Sequence, residues 1–468
     1  MRRILWLAML LMVTRCEAQE QAPPDAPARR PVSPAAAAAR RPKPNIVFIL
    51  TDDAGYADFG FQSNRLIPTP HVDRIAHDGV KFTNAYVTGA VCSPSRAGIL
   101  TGINQAEFGH VYNFIKGVTY NIPTDSFGLP VNQKLIGEYL KPLGYATGIV
   151  GKWHEGLAPR FQPENRGFDY FWGFLWGSSA YMTGQAKAVL DNGRPVPADS
   201  IPYMTDAIGD KSIQFIQAHA DTPFFLYVAF NAPHTPMQAK PDVLARFRDR
   251  FKSEGRALNA AMTFSIDENV GKILDKLSAL HLLDNTLIVF TNDNGGQVTY
   301  SYTDNYPLRG MKGDVYEGGI RVPMAMMWKG RIQPGLVCNT PVTSLDLLPT
   351  FIDAAGGHAS DDPRLEGTDL RIILRQSGTK SHPGDRPLYW YVGLDNGAMR
   401  LGSWKLDCLP AKVPELYNLD TDIGETHDLY NAQPAVAKKL YDRYLRWKNA
   451  LPVPGWIPVK KEDQLYIR

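Results

Sequence analysis

Short apolar runs alternate with amphipathic stretches along this chain, and four of the apolar runs end alike. "NIVFIL" (45–50) leads into Thr51, Asp52 and Asp53, and "GYATGIVGKWH" (144–154) ends in Lys152, Trp153 and His154. "PFFLYVAFNAPH" (223–234) ends between Asn231 and His234, and "TLIVFTNDNGG" (286–296) carries Asn292, Asp293 and Asn294. Runs of this length with no alternation predict strands buried on both faces. Helical spacing of apolar residues lies between them, in "PHVDRIAHDGV" (70–80), "VNQKLIGEYLKPLG" (131–144) and "SIDENVGKILDKLSALHLL" (265–283). Strands alternating with helices predict an α/β fold: a large, mostly parallel central sheet flanked by helices. The tail changes character. "RPLYWYVGLDNGAMRLGSWKLD" (386–407) reads as an antiparallel meander, followed by an amphipathic helix in "AVAKKLYDRYLRWKNAL" (435–451). A smaller C-terminal antiparallel-sheet subdomain is therefore expected over 380–468, after a main domain over 44–379.

The N-terminus has its own pattern. Arg2 and Arg3 precede an apolar stretch from Ile4 to Val13, and Cys16, Glu17 and Ala18 resemble a small-x-small cleavage site. Residues 1–18 thus read as a secretory signal peptide, too short to span a bilayer. Export to the periplasm or the exterior follows. A lipid anchor on Cys16 is the lesser alternative, because Arg15 suits that processing poorly. Residues 19–43, rich in Pro and Ala, read as a disordered tether.

Charge and cysteine content narrow the function. With 50 Lys and Arg against 47 Asp and Glu, the formal net charge is +3. No long basic run is present, which argues against a nucleic-acid binder. No stretch predicts a transmembrane helix. Of four cysteines, Cys16 leaves with the leader, and three are not a disulfide framework. Cys338 and Cys408 could pair or could each be a lone buried thiol; unpaired is the expectation.

In open α/β sheets, ligands bind at the carboxyl ends of strands, which is where the four polar endings fall. Asp52, Asp53, Asp293 and Asn294 are hard oxygen donors with no Cys or His pair at zinc spacing, so they suit one Ca²⁺ or Mg²⁺. Cys92 precedes Ser93 and Pro94, and proline favours a helix's first turn. That places Cys92 at a helix N-terminus, where the dipole stabilises an anion, with Arg96 about one turn further on. Singly, each has an ordinary reading: Asp and Asn cap turns, and a free cysteine is usually a small buried thiol.

The motifs become specific together. "CSPSRAGILTG" (92–102) resembles the signature of the formylglycine-dependent sulfatases, and "GYATGIVGKWH" resembles that family's second signature. The likeness extends in order through "TDDAGYADFG" (51–60), "NAPHTP" (231–236), "TNDNGG" (291–296), "LRGMKGDVYEGGIRVP" (308–323) and "PELYNLDTDIGETHDL" (414–429). The chain resembles bacterial sulfatases of the arylsulfatase A and N-acetylgalactosamine-sulfatase type.

This resemblance implies an alkaline-phosphatase-like fold and oxidation of Cys92 to formylglycine by a formylglycine-generating or anaerobic sulfatase-maturating enzyme. It also implies a Ca²⁺ ion, with Mg²⁺ the lesser choice, beside residue 92 and the four oxygen donors. In the family's scheme one hydroxyl of the hydrated aldehyde attacks the ester sulfur and the alcohol leaves. The other hydroxyl then loses its proton, and sulfate is expelled as the aldehyde re-forms. Matched onto this chain, Arg96 and Lys152 hold the hydroxyls, and His154 is the base that expels sulfate. His234 and Lys312 contact the sulfate, with His234 donating the proton to the leaving oxygen. The implied substrate is a sulfated saccharide. Three looser expectations concern the pocket. Gln105, His110 and Asn113 would line it, Ser178 or Ser179 would approach the sulfate, and "YSYTDNYP" (300–307) would form a loop. "WGFLWGSSAYMTG" (172–184) reads as core, with a sugar platform as the alternative. The rival activities are a phosphate or phosphonate monoester hydrolase on the same fold and a non-catalytic glycan-binding relative.

Overall fold

Burial on both faces shapes the centre of the molecule. In the strand Asn45–Thr51, Ile46, Phe48 and Leu50 face one apolar cluster while Val47 and Ile49 face another, and all are buried. The computed structural model describes residues 43–113, 126–186, 188–376 and 386–455. The leader over 1–18, all of the tether except residue 43, and the boundary near 380 lie outside the described residues.

Ten strands form one sheet. Across it run Leu336–Cys338, Val80–Phe82, Met324–Met327, Thr286–Asn292, Asn45–Thr51, Phe224–Ala229, Ala146–Lys152, Tyr170–Phe174, Val189–Asp191 and Arg194–Pro195. The five strands from Thr286–Asn292 to Tyr170–Phe174 are mutually parallel. Met324–Met327 runs antiparallel between Thr286–Asn292 and Val80–Phe82. Helices Pro70–His77, Met204–Ala218 and Glu254–Ala279 cover one face, and Cys92–Thr101, Ile136–Leu140, Leu347–Ala354 and Leu370–Gln376 cover the other.

The anticipated elements are present, with three differences. The 131–144 pattern yields only Ile136–Leu140 and a 3₁₀ turn at Lys141–Leu143, because Pro142 cannot continue the helix. The long helix begins at Glu254, well before 265, with Ser253 capping it. Its early turns bury the small residues Ala257, Ala260 and Ala261, which blur the periodicity. The helix Met204–Ala218 was not anticipated, because its buried stripe includes Thr205, Gly209 and Ser212. Trp172, Phe174 and Tyr181 are core, as expected of that aromatic stretch.

The tail forms an antiparallel four-stranded sheet, Leu388–Tyr391, Gly397–Leu401, Trp404–Cys408 and Glu415–Asn418. One face packs Trp390 and Ala398 against Tyr86, Ala90, Val315 and Ile320. The other takes the helix Pro434–Ala450 through Leu440 and Tyr444. Cys92, Cys338 and Cys408 are free and buried. Among the described residues no helix is long and apolar enough to cross a membrane.

Phe351 couples the helix Leu347–Ala354 to the sheet through the rings of Phe48 and Phe225, each 5.8 Å away. Phe351→Ala is expected to cost about 3–5 kcal/mol through the cavity it leaves. Urea unfolding followed by circular dichroism should show the lowered midpoint.

Candidate active site

Strand register assembles the site. Leu50 and Gly151 both pair with Ala229, and Thr51 pairs with Asn292, so the strands end nearly level. Asp52, Asp53, the segment after Lys152, the loop from Asn231 to His234, and Asp293 with Asn294 therefore emerge at one rim. Asn292 joins two of these loops, accepting from Ala54 N and the Thr51 hydroxyl while donating to the Ala54 and Asn294 carbonyls. Gly295 makes this rim feasible, since a Cβ there would lie 1.8 Å from the Gly318 carbonyl oxygen.

Cys92 opens the helix Cys92–Thr101, as expected, with extended Val91 before it. The thiol is buried, 3.5 Å from Asp52 Oδ1 and 3.9 Å from Asp53 Oδ1. Burial pushes the thiol up to about 12, and Asp52 and Asp293 add to it, against the pull of Lys152 and Lys312. As a thiol, this group is a poor nucleophile.

Cationic side chains meet the carboxylates. Arg96, fully buried, reaches Asp293 Oδ2 through Nε at 2.9 Å and Nη2 at 2.8 Å. Its Nη1 donates to the Lys152 carbonyl and the Tyr227 hydroxyl. Burial alone would weaken the guanidinium charge, but Tyr227, Asp293 and Asp52 more than offset it and raise the pKa. Lys152 Nζ lies 2.6 Å from Asp52 Oδ2. Burial would raise Asp52, yet Lys152, His234, Arg96 and Lys312 hold it well below the ordinary carboxylate range. Lys312 Nζ bridges the two oxygens of Asp53 at 2.8 and 2.9 Å. Asp53 takes a left-handed backbone, φ 64°, to turn its carboxylate inward.

The two histidines differ. His154, at φ 65°, is buried, with its ring over Gly177, where a Cβ would sit 2.5 Å from Nε2. Burial, Lys152 and Arg96 hold it well below the usual range, so it is neutral. His234 is part-exposed; Nδ1 lies 2.6 Å from the Thr235 carbonyl and Nε2 3.6 Å from Asp53 Oδ2. A carbonyl only accepts, so Nδ1 carries the hydrogen and Nε2 faces the site. Tyr181 fixes this loop by donating to the carbonyls of Asn231 and His234.

The oxygen donors fit a hard cation. One atom from each of Asp52, Asp53, Cys92 and His234 lies within 4.8 Å of every other. Asn294 Oδ1 is buried without a hydrogen-bond partner, while its Nδ2 donates to Asp53 Oδ1 at 2.8 Å. Asp293 adds Oδ1, which accepts from Asp53 N at 3.3 Å. Burial and Asp52 push Asp293 up to about 6, against Arg96 and Lys152. Crowded carboxylates and an orphaned amide oxygen are the donor chemistry of Ca²⁺ or Mg²⁺.

All the residues singled out for chemistry thus meet at this rim. The pocket expectations fare differently. Gln105 and His110 are fully buried behind the signature helix, where Gln105 donates to the Thr88 carbonyl and His110 meets the Ser93 hydroxyl at 2.7 Å. Asn113 accepts from Ser93 N at 2.8 Å. Gln105 and His110 support the helix rather than line an open pocket, while Asn113 is half-buried beside it. Sequence reading placed Asn292 at a polar strand end without a role, and passed over Tyr227 and Glu155. Glu155 directly follows His154 and lies 3.9 Å from His110, and burial pushes it well above the usual range. A charged residue straight after "GKWH" was the available signal.

Comparison with known proteins gives the same reading. The family model described as Sulfatase matches residues 44–357. The chain is 32% identical to arylsulfatase J of Mus musculus, covering 90% of this chain and 78% of that protein. It is 33% identical to N-acetylgalactosamine-6-sulfatase of the same organism, over 79% and 72% of the two chains. Among solved structures it resembles Ps i-CgsB, crystallised in complex with k-i-k-neocarrahexaose, at 34% identity and a TM-score of 0.83, covering 90% of this chain and 96% of that one. The fold is alkaline-phosphatase-like, and the chain belongs to the sulfatase family of sulfuric ester hydrolases.

Proposed function

We propose that this protein hydrolyses sulfate esters of a sulfated saccharide, using formylglycine made from Cys92 and one divalent cation, Ca²⁺, held by Asp52, Asp53, Asp293 and Asn294. The observation that carries the reading is the environment of Cys92. Cys92 opens its helix with its sulfur 3.5 Å from Asp52 Oδ1 and 3.9 Å from Asp53 Oδ1, and Lys152 and Lys312 sit on those same two carboxylates, the set of groups that a converted residue 92 would use. The converted residue supplies an oxygen nucleophile, and the cation supplies Lewis acidity to the sulfate oxygens.

The chain's own groups divide by depth. Arg96 and Lys152 are fully buried, and they orient residue 92 from behind. Lys312 and His234 keep 13% and 18% of their side chains exposed, so they front the entrance and meet the ester first. Charge fixed where the transition state develops it is the usual main source of rate. His154, held neutral, takes the proton that releases sulfate. Burial, with Lys312 and Lys152, lowers His234 against the pull of Asp52 and Asp53, so its Nε2 must first take up a proton before it delivers one to the leaving oxygen.

Saccharide substrates are supported by the 34% identity to Ps i-CgsB, a protein crystallised with a neocarrahexaose. Export through residues 1–18, conversion by a formylglycine-generating or anaerobic maturating enzyme, and division into a catalytic domain over 44–379 and a subdomain over 380–468 belong to the same proposal.

Peptide mass spectrometry over Cys92, on protein co-expressed with a formylglycine-generating enzyme, should show a loss of about 18 Da relative to the thiol. An intact thiol beside a converted control sulfatase would overturn the mechanism. Chelation should abolish sulfate release, with Ca²⁺ restoring it. Lys312→Ala should lower kcat by about 10²–10³-fold while residue 92 is still converted. Paired sulfate and phosphate esters, compared by kcat/KM, should favour sulfate; the reverse preference would establish a phosphoester hydrolase.

A further inference from the structure

Exposed apolar side chains gather in one loop. Val298, Tyr300, Tyr302 and Tyr306 stand out among the exposed large hydrophobics of the described residues, and Tyr300 and Tyr306 are 67% and 77% exposed. This loop leaves the site at Asn294 and returns to it at Lys312, so both of its ends belong to the catalytic rim.

It is also firmly held. Asn305 closes its neck, with Oδ1 accepting from Gly296 N at 3.1 Å and Nδ2 donating to the carbonyls of Gly296 and Gly310 at 2.9 and 3.1 Å. Lys312 N also donates to the Gly296 carbonyl. Further out, Asn259 Nδ2 donates to the Ser301 carbonyl, Arg256 Nη1 to the Tyr302 carbonyl, and Ala57 N to the Asp304 carbonyl. Tyr302 adopts φ 50°, unfavourable for a bulky residue, and lays its ring in the notch over Gly255, where a Cβ would be 2.4 Å away. The backbone is thus immobilised while the neighbouring ring of Tyr300 is left in solvent. Thr299 touches Met311 Sδ at 3.5 Å. Tyr300 follows Thr299 at about 3.8 Å between Cα atoms, so its backbone runs close to the Met311–Lys312 segment that Thr299 touches.

We propose that Tyr300 is a specificity residue, an aromatic wall against which the sugar bearing the scissile sulfate packs its C–H face. This rests on the sulfated-saccharide reading above. An exposed ring on a rigid scaffold loses little freedom on binding, and tyrosine combines an apolar face with a hydroxyl suited to a hydroxylated ligand. Tyr302 is the support that fixes the loop and does not itself face the sugar.

The test compares sulfate release from a sulfated galactan oligosaccharide with that from a phenyl sulfate, which has no sugar ring. Tyr300→Ala should lower the ratio of saccharide to phenyl-sulfate kcat/KM about tenfold, through a raised saccharide KM. Tyr300→Phe and Tyr300→Trp should largely restore the ratio, because the ring face and not the hydroxyl carries the effect. Equal losses on both esters, or no change in saccharide KM, would overturn the inference while leaving the sulfatase reading intact. If the wild-type enzyme, with residue 92 converted, released sulfate from no saccharide, the substrate reading would fall and this inference with it.

Discussion

The buried contact between Arg96 and Asp293 is the constraint on which the rest of the site depends. Removing a guanidinium and a carboxylate from water is costly, and only close pairing with further hydrogen bonds offsets it. Arg96 does so through Nε, which donates to Asp293 Oδ2, and Nη1, which donates to the Lys152 carbonyl and the Tyr227 hydroxyl, with Nη2 held 2.8 Å from Asp293 Oδ2 as a charge contact. One side chain thereby ties the signature helix to three strands: the one ending before Asp293, the one ending at Lys152 and the one containing Tyr227. The position of Cys92, one turn earlier on that helix, follows from this anchor.

From that anchor the charges arrange themselves as a balanced set. Asp52, Asp53 and Asp293 face Arg96, Lys152 and Lys312 at hydrogen-bond distance. A set of this kind is stiff, because moving any member strands another without compensation. Such stiffness suits a reaction in which negative charge redistributes around sulfur, since fixed dipoles need not reorganise when the charge shifts. The same reasoning explains the small residues at the rim. Gly295 and Gly177 admit a carbonyl and an imidazole where a methyl group would collide.

Much of this was legible in the sequence. Long apolar runs marked buried parallel strands, and their polar endings marked the rim. The three carboxylates, the amide and the cationic partners of Cys92 were identifiable because the motifs occur in order. What could not be read has physical causes. The helix Met204–Ala218 buries small polar residues, so no apolar stripe announces it. The pocket role expected of Gln105 and His110 rested on chain proximity, but a helix has a back as well as a mouth, and these two lie behind it. Cys92 stands at the helix N-terminus the sequence indicated, but a helix dipole contributes only modestly, and burial, largest, with Asp52 and Asp293 raises the thiol against it.

That last point bears on what the site is built for. A catalytic cysteine requires surroundings that stabilise a thiolate, typically cationic and partly open to solvent. Residue 92 has nearby cations, but Lys152 and Lys312 are already engaged by Asp52 and Asp53, whose oxygens lie 3.5 and 3.9 Å from the sulfur. The electrostatics therefore oppose an anion on sulfur. They suit a divalent cation among the carboxylates, and a neutral group at position 92 whose reactivity arises from that cation and from Lys152 and Arg96. Residue 92, converted to an aldehyde, would stand among Asp52, Asp53, Lys152 and Lys312, whose charges are already fixed around it.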